Sequence, residues 1–386
     1  MAGTTGPGAG GAAVTPAVTE RVLGWDVLRG LCALGVAMYH LLYWQDIAAL
    51  HTLGSYGVYL FFVLSGASLA YNYLGRLDGP QSIWRFLATR WLRLAPLYLV
   101  ACVAFLALLA FRDGRLLPDA AQRLALNLSF AFGLFDPAVS ALAIGGWSLG
   151  IEFVFYLAVP LALLVLARWP WWMAALAALT ALQWAWIYRT AGSGAGYAAN
   201  TVAYHQVPAF GAYFFGGCVI GAARRARDLR WPAWAGAASW LGATGLLVAL
   251  NPHSAGDELL GLRGAVLFAA CFATVYASGH VRLAGAVAAA ARWLGDITYG
   301  CYLLHPLFFF GFAWLVWPAL SGGELAAAGR ATHAAVLVGV LAASCAAAAA
   351  SERWFEQPVR RWGARRLARR QAPAPAVHID AASISS

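Results

Sequence analysis

Lysine is absent from this chain and charge of either sign is scarce: arginines and acidic residues together make up 11% of 386 positions. An ordinary soluble domain is about 25% charged. With 62% hydrophobic residues and a mean hydropathy of +0.67, the excess apolar mass has to face lipid. The formal net charge of +10 is explained by membrane orientation, and no nucleic-acid partner is expected. No pair of the six cysteines has a C-x-x-C spacing, which argues against a disulfide framework and against zinc, and no metal is expected. All six lie in apolar runs and suit small core positions. Residues 1–20 have neither a basic n-region nor an apolar h-region, so a disordered tail is expected there in place of a cleaved signal peptide. Ala2 excludes myristoylation. A basic and then disordered tail is expected over 363–386.

What is abundant is apolar sequence in runs near the length, about 20 residues, that crosses a bilayer as a helix. Ten such runs fall at 27–45, 54–74, 91–111, 147–167, 171–189, 204–222, 233–250, 260–279, 297–318 and 333–351. The fold class expected is therefore an all-α integral membrane protein of about ten transmembrane helices, one membrane domain over 21–362. The apolar stretch Leu124–Leu134 is about half a span and suits a re-entrant or interfacial piece. With both termini in the cytoplasm, 20 of the 26 arginines fall on that side and 6 on the other. That asymmetry fits the positive-inside rule. Tryptophans such as Trp169, Trp171 and Trp172 cluster at span ends and suit interfacial anchoring.

Polar groups inside the spans are few, and such groups are functional candidates by default. Arg29 and His40 share the first span, about 16 Å apart along a helix. Arg85, Arg90 and Arg93 precede Pro96, which is expected to interrupt the next turn. Arginines so placed suit either a polyphosphate ligand, whose oxygens guanidinium forks match, or anchoring to anionic lipid. Glu152 follows Trp147-Ser148-Leu149 in the fourth span. If that span starts at the outer surface, Glu152 reaches the depth of His40, and a carboxylate beside an imidazole is the pairing a general base needs. His305, before Pro306 in the ninth span, either lines the same cavity or holds helices together. Ser65-Gly66 in the second span suits a close-packing point between helices.

In register, these segments resemble the acyltransferase-3 family of bacterial membrane O-acyltransferases. The resemblance covers about residues 24–360. It rests on Asp26-x-x-Arg29-Gly30 with His40, Phe61-Phe62-Val63-Leu64-Ser65-Gly66, Arg90-x-x-Arg93-x-x-Pro96, Trp147-Ser148-Leu149-x-x-Glu152-x-x-Phe155-Tyr156, Tyr302-Leu303-Leu304-His305-Pro306 and Glu356-Gln357-Pro358. Val27, Tyr59 and Phe153 stand where the family often has a glycine, an acidic residue and a second glutamate.

The resemblance implies transfer of an acyl group, most often acetyl, from acyl-CoA to a hydroxyl of an extracytoplasmic glycan or lipid-linked sugar at the bacterial inner membrane. It also implies a stand-alone form without an esterase-like domain. CoA is then a co-substrate, and no permanently bound cofactor is implied. Joined to the residue pattern, it makes His40 and Glu152 the catalytic candidates and Arg29, Arg90 and Arg93 the cofactor-binding ones. Trp147, Ser148, Tyr302 and His305 are the substrate-binding candidates. The rivals are acylation of a small secondary metabolite and, in another class, a transporter or flippase in which His40 and Glu152 relay protons.

Overall fold

The computed structural model describes residues 20–168, 170–190, 205–227, 229–249 and 261–369. Residues 1–19 and 370–386 of the expected tails and Trp169 lie outside the described residues, as does the start of the sixth expected span, while 363–369 of the basic stretch are helical. Among the described residues the regular structure is helical, with one isolated bridge between Trp231 and Val281. Lipid offers no partner for backbone N–H and C=O groups, so apolar runs satisfy them internally as helices.

In chain order the helices are α1 (Leu23–Trp44), α2 (His51–Tyr73), α3 (Pro80–Asp113), α4 (Ala120–Leu128), α5 (Pro137–Ser140), α6 (Gly146–Leu166), α7 (Trp171–Thr190), α8 (Gly211–Ala226), α9 (Ala233–Ala249), α10 (Gly261–His280), α11 (Gly285–Gly311), α12 (Trp317–Ser321), α13 (Arg330–Ser351) and α14 (Gln357–Arg369). A π-turn, Phe312–Val316, joins α11 to α12, and a second, Glu352–Glu356, joins α13 to α14. Seven helical rods among the described residues are long and apolar enough to cross a membrane: α1, α2, α3, α6, α10, α11 with α12, and α13 with α14. The chain is an all-α, multi-pass membrane protein. Pro96 does not interrupt α3 as expected. The helix runs 34 residues straight through it, and the loss is confined to the Leu92 carbonyl, which an N–H at position 96 would have met.

Apolar helices gain no hydrophobic drive from meeting each other in lipid, so close contact between small residues carries the packing. The α2–α8 pair shows this best. A Cβ on Gly66 would lie 2.0 Å from the Phe214 carbonyl oxygen, and one on Gly217 or Gly221 would lie 2.1 Å from that of Val63 or Ala67. Gly66 is thus the packing point expected of it. Around this pair sits an aromatic core including Trp25, Tyr59, Tyr213 and Phe210, all at most 2% exposed. Trp25 also donates from Nε1 to the Val275 carbonyl at 2.9 Å, tying α1 to α10.

The half-span between α3 and α6 folds inward. Asn127 at the end of α4 is fully buried, accepts from Tyr98 Oη at 2.7 Å and from Leu142 N at 3.0 Å, and donates to the Ser140 carbonyl. Phe130 and Phe132 follow it into the core, where Phe132 lies against Gly150. Gly145, in the left-handed region at φ 81°, then turns the chain into α6. Its carbonyl accepts from Tyr302 Oη at 3.0 Å, one turn before His305 on α11. The first turn of α6 therefore stands beside the middle of α11, packed against the half-span that precedes it.

Candidate active site

Glu152, on α6, does not pair with His40. Ser65 Oγ and Tyr156 Oη both donate to its Oε1 at 2.7 Å, and its charge acts on Arg29 and Arg90. The expected carboxylate–imidazole pairing is corrected on this point: Ser65 and Tyr156 meet Glu152, and the ring that meets His40 is His305.

A cavity of about 450 Å³ collects these groups. Ligand pockets commonly fall within about 300–1,000 Å³. Its outer rim carries Glu20, Arg21 and Asp296, and its inner end Ser148 and Tyr302. Arg29, Arg90 and Arg93 all line it, whereas Arg85 is exposed outside it. Arg29 is held from α1 by Asp26 at 3.1 Å and hydrogen-bonds Ser68 on α2. Arg90 donates to Tyr73 Oη at 2.9 Å and lies 5.3–6.0 Å from the ring centres of Tyr73, Phe86 and Tyr156. Its Nε is buried without an acceptor among the described residues. Arg93, one turn on, is exposed at the same cavity. Two guanidiniums thus face the cavity without a bound carboxylate among the described residues, an arrangement that accepts an anion with several oxygens.

At the inner end Ser148 Oγ and Tyr302 Oη lie 3.0 Å apart, and each donates to the Gly145 carbonyl at 3.0 Å. Just beyond lies His305, whose ring centre is 6.2 Å from that of Tyr302. His305 is 1% exposed and meets His40 across the α1–α11 contact, Nε2 to Nδ1, at 2.9 Å. Trp44 stacks on His40, with ring centres 4.8 Å apart and planes within 3°, and its ring centre also lies 5.9 Å from that of His305. Trp147 is further away, stacked on His205 with ring centres 3.5 Å apart, and does not line the cavity. The structure therefore joins Arg29, Arg90, Arg93, Glu152, Ser148 and Tyr302 in one cavity, sets His40 and His305 beyond its end, and leaves Trp147 to one side.

Sequence reasoning missed the third wall. Glu352 and Glu356, in the π-turn after α13, line the cavity with Arg360 of α14. Arg360 hydrogen-bonds Glu352 and lies 3.6 Å from Glu356, which accepts from Ser351 at 2.9 Å. Their spacing, four residues each, puts all three on one helical face, a signal present in the sequence. Ser65, assigned to packing alone, is the other omission.

The family model Acyl_transf_3, described as an acyltransferase domain, matches residues 22–351. The chain belongs to this acyltransferase family. Comparison with curated proteins and with solved structures found no match. The matched range of the acyltransferase contains His40, His305, Glu152 and the three cavity arginines Arg29, Arg90 and Arg93. It stops just before the π-turn with Glu352 and Glu356.

Proposed function

We propose that this membrane acyltransferase moves an acyl group, most simply acetyl, from cytoplasmic acyl-CoA to a hydroxyl of an extracytoplasmic glycan or lipid-linked sugar in a bacterial inner membrane. The observation that carries the reading is the single cavity running from Arg90 and Arg93 to Tyr302, with His40 and His305 immediately past its end. CoA phosphates engage Arg90 and Arg93, with Arg29 behind them, through charge-assisted hydrogen bonds. The pantetheine arm extends inward past Ser65 and Glu152, so the thioester reaches the Ser148–Tyr302 end.

The acceptor hydroxyl approaches His40 from the opposite side. His40 takes its proton as the oxygen attacks the thioester carbonyl. The C–O bond forms, the C–S bond breaks, and the departing thiolate takes the proton back from His40. Glu152, bound to Ser65 and Tyr156, acts on the donor side as counter-charge to the arginines.

Radiolabelled acetyl transfer from acetyl-CoA, measured in inverted vesicles for wild type and His40→Ala, tests this. Label that leaves CoA with wild type and not with the variant is the result expected. Transfer that is unchanged in His40→Ala excludes His40 as base. No transfer by folded wild type given a broad glycan mixture excludes acetyl-CoA as donor.

A further inference from the structure

A histidine acts as a base only when its lone pair, and not its N–H, faces the group to be deprotonated. Something must fix that tautomer, and the polar group in contact with the His40 ring is His305. His305 Nδ1 lies 3.2 Å from the Cys301 carbonyl oxygen, one turn earlier on α11. A carbonyl only accepts, so this nitrogen carries the hydrogen. The lone pair of a neutral His305 is then on Nε2, which makes Nε2 the acceptor in its 2.9 Å contact with His40 Nδ1. His40 must donate there, and its own lone pair is left on Nε2.

Local sequence supports each step. Pro306 has no N–H to give the Tyr302 carbonyl, so the helix is loosened one turn below the ring that meets His40. Burial of His305 at 1% exposure keeps water from competing. Trp44 stacked on His40, and a His305 ring meeting it edge to edge with planes 16° apart, fix the plane of the base.

The structure assigns His305 as the positioning residue that holds His40 in its Nδ1–H tautomer, with Nε2 presented to the acceptor hydroxyl. This assignment rests on the reading of His40 as the base. When Nε2 takes the proton, the acceptor O–H bond breaks and its electron pair becomes the new C–O bond. The His40 imidazolium keeps its bond to His305, now charge-assisted and roughly twice as strong. Departure of the thiolate with the proton restores the resting pair. His305 thus does through a neutral ring what a carboxylate does elsewhere. A carboxylate at this depth would carry its own desolvation cost and would favour a protonated, inactive His40.

The test compares His305→Leu with His305→Gln in the full chain in lipid nanodiscs, since the glutamine oxygen can accept where Nε2 does. His305→Leu is expected to lower kcat about 100-fold, the scale of a misplaced catalytic group. Its KM for acetyl-CoA should stay within about twofold, because His305 does not line the donor cavity. His305→Gln should return kcat to within about tenfold of wild type, because it restores the hydrogen bond. ¹⁵N spectra of histidine-labelled protein, with His40→Ala for assignment, should show protonated Nδ1 on His40 in wild type and His305→Gln and mixed tautomers in His305→Leu. Protonated Nε2 on His40 in wild type would overturn the assignment. So would a His40 tautomer identical in all three proteins, or a glutamine variant as slow as the leucine one. The spectra need no turnover, so absence of transfer by wild type would count against the acyl-CoA reading and leave the His305 assignment to be decided by the tautomers.

Discussion

Replacing Arg90 separates the donor side of this acyltransferase from the acceptor side. Its guanidinium is wedged among Tyr73, Phe86 and Tyr156, with one hydrogen bond to Tyr73 and a buried Nε that has no acceptor among the described residues. A buried donor left unmet costs about 1–3 kcal/mol, and a hydrogen bond to a charged group contributes about 1.5–3 kcal/mol. These are two measures of one contact, and a phosphate oxygen on Nε makes it only when CoA is bound. Arg90→Ala removes that contact and should raise the KM for acetyl-CoA by about 1.4–2.8 kcal/mol, which is about 10–100-fold. Arg90→Lys keeps the charge but loses the fork, and should fall between alanine and wild type. The acceptor KM should not move, because Arg90 lies at the opposite end of the cavity from Tyr302. The assay is label transfer in vesicles with each substrate varied in turn, and a thermal-shift control for the lost ring contacts. An equal rise in both KM values, or a rise in the acceptor value alone, would refute the phosphate assignment for this side chain.

His40→Ala should lower transfer by about 10²–10⁴-fold, the usual contribution of a positioned base, with unchanged membrane expression by quantitative blot. Glu152→Ala strips the acceptor from Ser65 and Tyr156 and the counter-charge from the arginines. It should slow transfer while leaving the His40 ¹⁵N tautomer as in wild type, and a changed tautomer would restore a direct link between the two. Gly221→Val puts a Cβ 2.1 Å from the Ala67 carbonyl oxygen and should cost about 1–3 kcal/mol of stability as overpacking. It would be read as a lower melting temperature in detergent, with Gly339→Ala, which meets open space, as the neutral control.

The helices were legible because hydropathy reports burial in lipid directly, and α1, α2, α10 and the start of α6 fall within a few residues of the expected bounds. Depth was not legible. Glu152 was assigned to the level of His40 by counting from the surface, which assumes that α6 begins there. Asn127, Phe130 and Phe132 draw the preceding half-span into the bundle, and no local pattern states how far. The His40–His305 contact depends on how α1 crosses α11, a relation between segments 265 residues apart. The only local sign was Pro306, which frees a carbonyl beside the second ring. Arg90 and Arg93 were visible as a pair because their spacing lies on one helix. The Glu352–Glu356–Arg360 face was equally local, but it lies past the last apolar run, where a membrane-based reading stops looking.

The hydroxyl bridge at Gly145 has an electrical consequence. A water-filled pocket that reaches the middle of a bilayer shortens the insulating path that keeps protons and ions on their own side. In this acyltransferase two hydroxyls, Tyr302 and Ser148, close on one carbonyl at the inner end of the cavity. Neutral hydrogen bonds of this kind contribute about 1 kcal/mol each. Parting them therefore takes about 2 kcal/mol, no more than the free energy of a single well-bound substrate group.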